Sequence, residues 1–368
     1  MSYDAAARRD TPLAKKLIAQ IRARGPLVLK DYMTACLQDP EHGYYRTREA
    51  IGGAGDFVTA PEISQIFGEL IGLWSAIAWQ QIGSPHRVNL IELGPGRGTL
   101  MQDALRAARL VPAFAAALEV HLVESSETLR AIQARTLADA GKRPEWHAAL
   151  SNVPSGPAII LVNEFLDALA VDQLVRGPNG WRLRAVTVDA QGHLQFDDDT
   201  LPASEVPAYA AAAAPGTVVT LPDYAELAAA LGCLGRDHPL AALFIDYGHA
   251  ASAAGDTLQA VRAHYYEHPL TSPGEADLTA HVDFEDFRTR VLAQQGLAAD
   301  GPKTQGEFLG ALGIVERGSR LMALNPAKAG EIEAGVARLL SPQGMGTRFK
   351  VLGVRGAGQP PLPGLEQR

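Results

Sequence analysis

The chain has 368 residues, of which 47% are hydrophobic, and a net charge of −8. That length suits one large domain or two unequal ones, and the apolar share can fill a sizeable core. The acidic balance and scattered basic residues argue against a nucleic-acid binder, and no stretch approaches the roughly 18 apolar residues of a membrane span.

The start, Met1 to Gly25, lacks the apolar region and cleavage site of a secretory signal. Leu13 to Arg24 reads as a basic amphipathic helix docked on the fold. Asp4 and Asp10 count against a mitochondrial transit peptide, which avoids acidic residues. Cys36 and Cys233 lie far apart and form no metal-like spacing, so both thiols read as small packed hydrophobes in a reduced intracellular setting. Residues 1–85 read as a mostly helical region with a glycine-rich insert, Ile51-Gly-Gly-Ala-Gly-Asp56. Thr59-Ala-Pro-Glu62 has capping-box spacing with Pro61 in the first turn. Ile63, Ile66, Phe67, Leu70, Ile71 and Trp74 follow at helical spacing.

From residue 88 strand and helix alternate. Val88 to Leu93, Val120 to Glu124, Ala158 to Asn163 and Leu243 to Asp246 read as apolar strands. Thr99 to Leu110 and Glu127 to Ala140 read as helices, and Phe349 to Val354 as a last strand. Continuous apolar runs are what parallel strands buried on both faces require, so the expected fold is a mostly parallel, doubly wound, Rossmann-like α/β sheet. Val171 to Gln195 instead alternates and is broken by Gly177-Pro-Asn-Gly180, which predicts antiparallel hairpins inserted into that sheet. Ala203 to Gly216 reads as a loose helix or connector. The expected regions are therefore 1–85 (helical, substrate or cap), 86–170 (first part of the core), 171–240 (β-rich insertion and connector) and 241–368 (remainder of the core).

The most informative run is Val88-Asn-Leu-Ile-Glu-Leu-Gly-Pro-Gly-Arg-Gly-Thr-Leu100. A strand ends in the carboxylate Glu92, then turns through Gly94, Gly96 and Gly98 into a helix. A dinucleotide loop reads G-x-G-x-x-G, which would place its third glycine at position 99, where this chain has Thr99. The spacing favours a nucleoside ligand without a pyrophosphate, S-adenosylmethionine (SAM), over NAD. Glu124 ends the next strand, where an acid accepts hydrogen bonds from ribose hydroxyls. Asn163-Glu164-Phe-Leu-Asp167 follows the third apolar strand and brings an amide and two carboxylates to the ligand edge of the sheet. Beside a sulfonium, such carboxylates can hold and activate a cationic or amine nucleophile. Asp246-Tyr-Gly-His249 follows the next strand. Two further polar segments, around Asp56, Thr59 and Glu62 and around Asp277, His281 and Asp283, are candidates for the substrate side. Glu62 also reads as a helix cap, and His249 as a structural or solvated histidine. Asp277, Thr279, His281 and Asp283 alternate with apolar residues as on a half-exposed strand or before a helix. This oxygen-rich set lacks recognisable ligand spacing, so no metal is expected.

Together these blocks make the chain resemble the MidA-type SAM-dependent methyltransferases, whose mitochondrial members assist assembly of respiratory complex I. The resemblance rests on Pro40-Glu-His-Gly-Tyr-Tyr45, the long block Gly55 to Glu69, Glu92 to Thr99, Asn163 to Asp167, Asp246 to His249 and Ala276 to Asp283. It implies a class I methyltransferase core with a helical N-terminal region and a β-rich insertion. It further implies that Gly94, Gly96 and Gly98 line SAM, with Glu92 and Asn163 beside them and Glu124 on the ribose. Mitochondrial relatives methylate an arginine of a complex I subunit, and the target here would approach Glu164. The expectation is a protein arginine methyltransferase with SAM as its cofactor. Glu164, Asp246 and Asp56 are the catalytic candidates, and Thr59, Glu62, Asp167, Tyr247, His249, Asp277, His281 and Asp283 lie toward the substrate. The expected partner is a protein substrate, a complex I subunit on the resemblance, with a homodimer through the insertion left open. The expected location is the cytoplasm for a bacterial source and the mitochondrial matrix for a eukaryotic one. Two alternatives stand beside this: a methyltransferase of a small amine or another side chain, and a SAM-binding assembly protein without turnover.

Overall fold

The computed structural model describes Asp4 and residues 6–47, 59–203 and 205–366. The chain forms two compact units. One contains Met1–Phe57, Asp167–Asp223 and Ala251–Val282, and the other Val58–Leu166, Tyr224–Ala250 and Asp283–Arg368. The helices of the N-terminal stretch are thus shared between the two units.

In the first unit the strands Val171–Gly177 and Gly180–Val188 form an antiparallel hairpin across Pro178 and Asn179. Val218–Pro222, Leu194–Pro202 and Leu27–Val28 complete an antiparallel sheet around it. The helix Pro12–Arg24 starts where the Thr11 hydroxyl accepts the Ala14 N–H at 3.0 Å and ends at Gly25. Its Leu13, Leu17 and Ile21, four residues apart on one helix face, are buried in one core with Leu29, Tyr32, Met33 and Val186. A small sheet of Gln259–Arg262, Tyr265–Glu267 and Asp277–Thr279 belongs to the same unit. Asp277, Leu278 and Thr279 are all buried, so the half-exposed strand expected there is a covered one.

In the second unit the main sheet is built from β1 (Val88–Leu93), β2 (Leu118–Val123), β3 (Glu145–His147), β4 (Ala158–Asn163), β5 (Leu240–His249), β6 (Leu297–Thr304) and β7 (Phe349–Gly356). Across the sheet the order is β6-β7-β5-β4-β1-β2-β3. Strands β1 to β5 pair in parallel, and β7 runs against both of its neighbours. The six residues of β1 are all buried, Asn89 and Glu92 included, as a strand covered on both faces requires. The chain leaves β1 toward β2 and β3 on one side, then crosses back to β4 on the other. The carboxyl ends of β1 and β4 therefore flank the topological switch point, where open α/β sheets bind ligands.

Local readings need correction or completion at three points. The helix expected from Thr59 onward is two helices, Ala60–Ile63 and Gln65–Gln81, broken at Ser64. Ser64 is extended, and its side chain accepts the Ile66 N–H at 3.3 Å, a local bond that competes with helix continuation. Of the two readings of Ala203 to Gly216 the connector holds: among its described residues the helical element is the 3₁₀ turn Ala208–Ala210. The strands β3 and β6 had no sequence signal. β3 is short and polar, while β6 contains Gly301-Pro302 at a bulge between Asp300 and Lys303, tolerable beside a single neighbour.

Candidate active site

The turn after β1 is held by its backbone. The Gly94 N–H donates to the Val123 carbonyl at 3.1 Å, and the Gly98 N–H to the Pro95 carbonyl at 2.7 Å. Gly98 then caps the helix Thr99–Ala108 at φ 85°, a left-handed conformation that costs other residues about 1–2 kcal/mol. Gly94 has φ 60°, and a Cβ there would lie 2.7 Å from Cδ2 of Phe165, so the loop after β4 packs directly on this glycine.

Glu92 is 3% exposed. Burial pushes its carboxyl up to about 8, against an opposing hydrogen bond from the Met101 N–H in the first turn of the helix. Its Oε2 has no protein partner. One strand away, Oδ1 of Asn163 is also buried and unpartnered. Buried polar atoms are seldom left without partners, and each such atom calls for an explanation. Two of them at the ends of β1 and β4, with the turn glycines between, fit a polar nucleoside ligand at the switch point.

Glu124 is buried at the end of β2, and burial raises its pKa. Its Oε1 accepts the Ser126 N–H at 2.7 Å, and its Oε2 accepts from Gln133 Nε2 at 3.3 Å. The same Gln133 amide donates to the Gly96 carbonyl at 2.8 Å, and its Oε1 accepts from Trp146 Nε1 at 2.8 Å. One fully buried side chain thus ties the glycine turn, the acid after β2 and strand β3 together. Sequence reading missed Gln133 and Trp146, which belong to no motif. Their one signal is a polar residue at an apolar position of the helix Glu127–Thr136, whose Leu129 and Ile132 are buried.

Glu164 follows β4 with φ 50°, a conformation that a long side chain adopts only when its surroundings hold it there. Its Oε1 accepts the Ala60 N–H at 3.0 Å and Asn163 Nδ2 at 3.3 Å. Glu164 therefore serves the first turn of Ala60–Ile63, and the Thr59 side chain makes no capping bond. The expected capping box does not form, because Glu62 turns instead to the Thr99 hydroxyl at the start of the next helix. Asp246 is 1% exposed and serves backbone donors. Its Oδ2 accepts the N–H groups of Phe165 at 3.0 Å and Leu166 at 2.8 Å, and its Oδ1 that of Tyr247 at 2.9 Å. This arrangement fixes the loop that follows β4.

The remaining candidates fall in both units. In the second, the ring of Tyr247 lies 5.6 Å from that of Phe349. Burial lowers the pKa of His249, opposed by the charge of Asp283. Asp283 caps Phe284–Leu292 through the Asp286 N–H at 3.0 Å. In the first, the Tyr45 hydroxyl donates to Asp277 at 2.9 Å, and His281 Nε2 lies 3.0 Å from Gln259 Nε2. Asp167 is buried there, its carbonyl accepting the Ala280 N–H at 2.9 Å. Asp56 lies outside the described residues.

Residues 70–303 match the family described as "Putative S-adenosyl-L-methionine-dependent methyltransferase". The chain is 36% identical to protein arginine methyltransferase NDUFAF7, mitochondrial, of Mus musculus, across 92% of this chain and 83% of that protein. Its Drosophila melanogaster homolog is also 36% identical, across 92% and 84%. A Burkholderia thailandensis protein whose crystal structure holds S-adenosyl-homocysteine superposes with a TM-score of 0.83 at 26% identity, over 98% of this chain and 96% of that one.

Proposed function

The chain belongs to the SAM-dependent methyltransferase family, and from that premise we propose that it methylates arginine side chains of a partner protein. The observation that carries this reading is Glu164, a carboxylate held by a left-handed backbone beside the glycine turn at the switch point. The curated relatives are named for the same reaction. SAM supplies a methyl group on a sulfonium, already a good leaving group, so the protein contributes mainly position.

The residues that would hold SAM are Gly94, Gly96 and Gly98 along the turn, Glu92 and Asn163 beneath it and Glu124 on the ribose. A guanidinium is fully protonated at neutral pH, so it is a poor nucleophile until oriented and relieved of a proton. Glu164 does this in the proposed site. Its backbone conformation and its bonds to Ala60 N–H and Asn163 fix where the carboxylate stands. Asp246 acts through the loop, by pinning the N–H groups of Phe165 and Leu166 behind Glu164. Thr59, Glu62, Tyr247, His249 and Asp283, all of the second unit, are proposed to contact the acceptor protein. The family resemblance supports a respiratory complex I subunit as the proposed acceptor, in the cytoplasm for a bacterial source or the matrix for a mitochondrial one.

The test is incubation with isotope-labelled SAM and cell proteins, read by mass spectrometry for methylarginine. Glu164→Gln should keep SAM binding and lose at least about 100-fold in turnover, the scale of a removed acid–base group. Label on small amines or on lysine alone would replace arginine as the acceptor. Binding of SAM with no labelled product would leave a binding protein, and full activity in Glu164→Gln would remove that residue from the chemistry.

A further inference from the structure

The edge of the main sheet carries a second group of chemically capable side chains that the sequence reading did not single out. Glu145 and His147 are two residues apart on β3, so both point to the same face of the strand. Parallel pairing sets His121 of β2 directly opposite Glu145 and Val123 opposite His147. His121 therefore stands on that same face. Its Nδ1 lies 3.0 Å from His147 Nε2 and 3.9 Å from Glu145 Oε2. One ligand atom from each of the three residues lies within 4.8 Å of the others. Among the described residues this is the one such group of three His, Cys, Asp or Glu.

We infer that His121, Glu145 and His147 form a binding site for one divalent transition-metal ion of the Zn²⁺ type. Bonds of roughly 2.0–2.2 Å in a tetrahedral site put neighbouring ligand atoms roughly 3.3 Å apart, and the separations of 3.0 Å and 3.9 Å from His121 Nδ1 bracket that value. Two imidazoles and one carboxylate select Zn²⁺, Ni²⁺ or Cu²⁺ over the oxygen-seeking Mg²⁺ and Ca²⁺. Three protein ligands leave a fourth position for water. The Glu145 side chain is 69% exposed, which gives the ion a way in from solvent, whereas His121 is 3% exposed. The His121–His147 contact is an incomplete use of both rings. One ring must donate to the other, and Nε2 of His121 remains buried without a partner whichever does so. Coordination through Nδ1 would replace that hydrogen bond with one bond from each ring to the ion, the ring proton of His121 then standing on Nε2.

Occupancy would clamp β3 to β2 at the point where the Glu124 N–H donates to the His147 carbonyl at 3.0 Å. Trp146, between the two β3 ligands, is the residue that bonds Gln133. The site would thus brace the strand that supports the proposed ribose acid.

The full-length protein, stripped with a chelator, is titrated with ZnCl₂ by calorimetry and with CoCl₂ by visible absorption. The expected result is one ion per chain, with the intense bands of tetrahedral Co²⁺ and a higher melting temperature with Zn²⁺. His147→Ala should weaken Zn²⁺ binding by more than about tenfold and remove the Co²⁺ bands. Glu145→Gln, at an exposed position that folding should tolerate, should weaken it severalfold while the metal-free melting temperature stays near that of the parent. Weak binding of several ions, octahedral Co²⁺ spectra, or equal affinity in parent and both variants would overturn the assignment.

Discussion

Replacing Glu92 with Gln should stabilise the ligand-free protein at neutral pH and remove one part of its pH dependence. In the folded chain burial holds this carboxyl near 8, while in the unfolded chain it returns to about 4.5. Between those values the unfolded state has released a proton that the folded state keeps. Stability from this group is fully present below pH ~4.5 and is lost as pH rises toward ~8, the reverse of an ion-paired carboxylate. Each pH unit costs about 1.4 kcal/mol, so at pH 7 the loss reaches about 3 kcal/mol. Gln has the shape of the neutral acid, can accept the Met101 N–H and does not ionise. The advantage of the variant over the parent should therefore be near zero at pH 4.5, grow through pH 6, and level off above pH 8. Urea unfolding of both proteins at pH 5, 6, 7 and 8 measures the difference. Other shifted groups, such as Asp103 near 6 and His268 near 4, are common to both and cancel. A difference that does not change with pH would refute the reasoning, as would a parent more stable than the variant at pH 8.

Gln133→Leu strands the Trp146 N–H and frees Glu124 and the Gly96 carbonyl, so SAM affinity by calorimetry should fall about tenfold or more, with ~1–3 kcal/mol lost in unfolding. Asp246→Asn leaves at least one of three backbone N–H groups without an acceptor and should cost about 2–3 kcal/mol in urea unfolding. Gly94→Ala meets both a left-handed backbone and the ring of Phe165, so it should weaken SAM binding and lower the melting temperature.

The parallel core was legible because its strands are apolar runs buried on both faces, and β1 and β4 were read to the residue. The edges were not, for a physical reason. A strand with one neighbour needs no unbroken apolar run, so Glu145-Trp-His147 and the Gly301-Pro302 strand look like loop text. The alternating text from Val171 marked the hairpin through its two-residue turn. It could not show that the hairpin folds with residues before 57 and after 251, since that pairing is set by contacts distant in sequence. The metal-ligating triad was invisible for the same reason. His121 and Glu145 become neighbours only through strand register.

At the site, residue type was legible and partnership was not. The sequence reads Asp246 and Glu164 alike, as acids at strand ends; Glu164 does follow β4, whereas β5 runs on to His249 and keeps Asp246, Tyr247 and His249 within the strand. The structure separates them by their donors. Asp246 accepts three backbone N–H groups and so holds the loop that follows β4. Glu164 sits instead in a backbone conformation that costs free energy for a non-glycine residue, while its carboxylate accepts from the first turn of a four-residue helix. Capping so short a helix repays little of that strain. Glycine at this position would relax the backbone and give up the bonds from Ala60 N–H and Asn163 Nδ2, so the strain beside a carboxylate supports the proposal that position 164 serves chemistry. The substitution Glu164→Gly separates the two roles. A catalytic Glu164 predicts a folded protein with intact SAM binding and lost turnover, whereas a purely structural one predicts turnover that survives wherever the fold does.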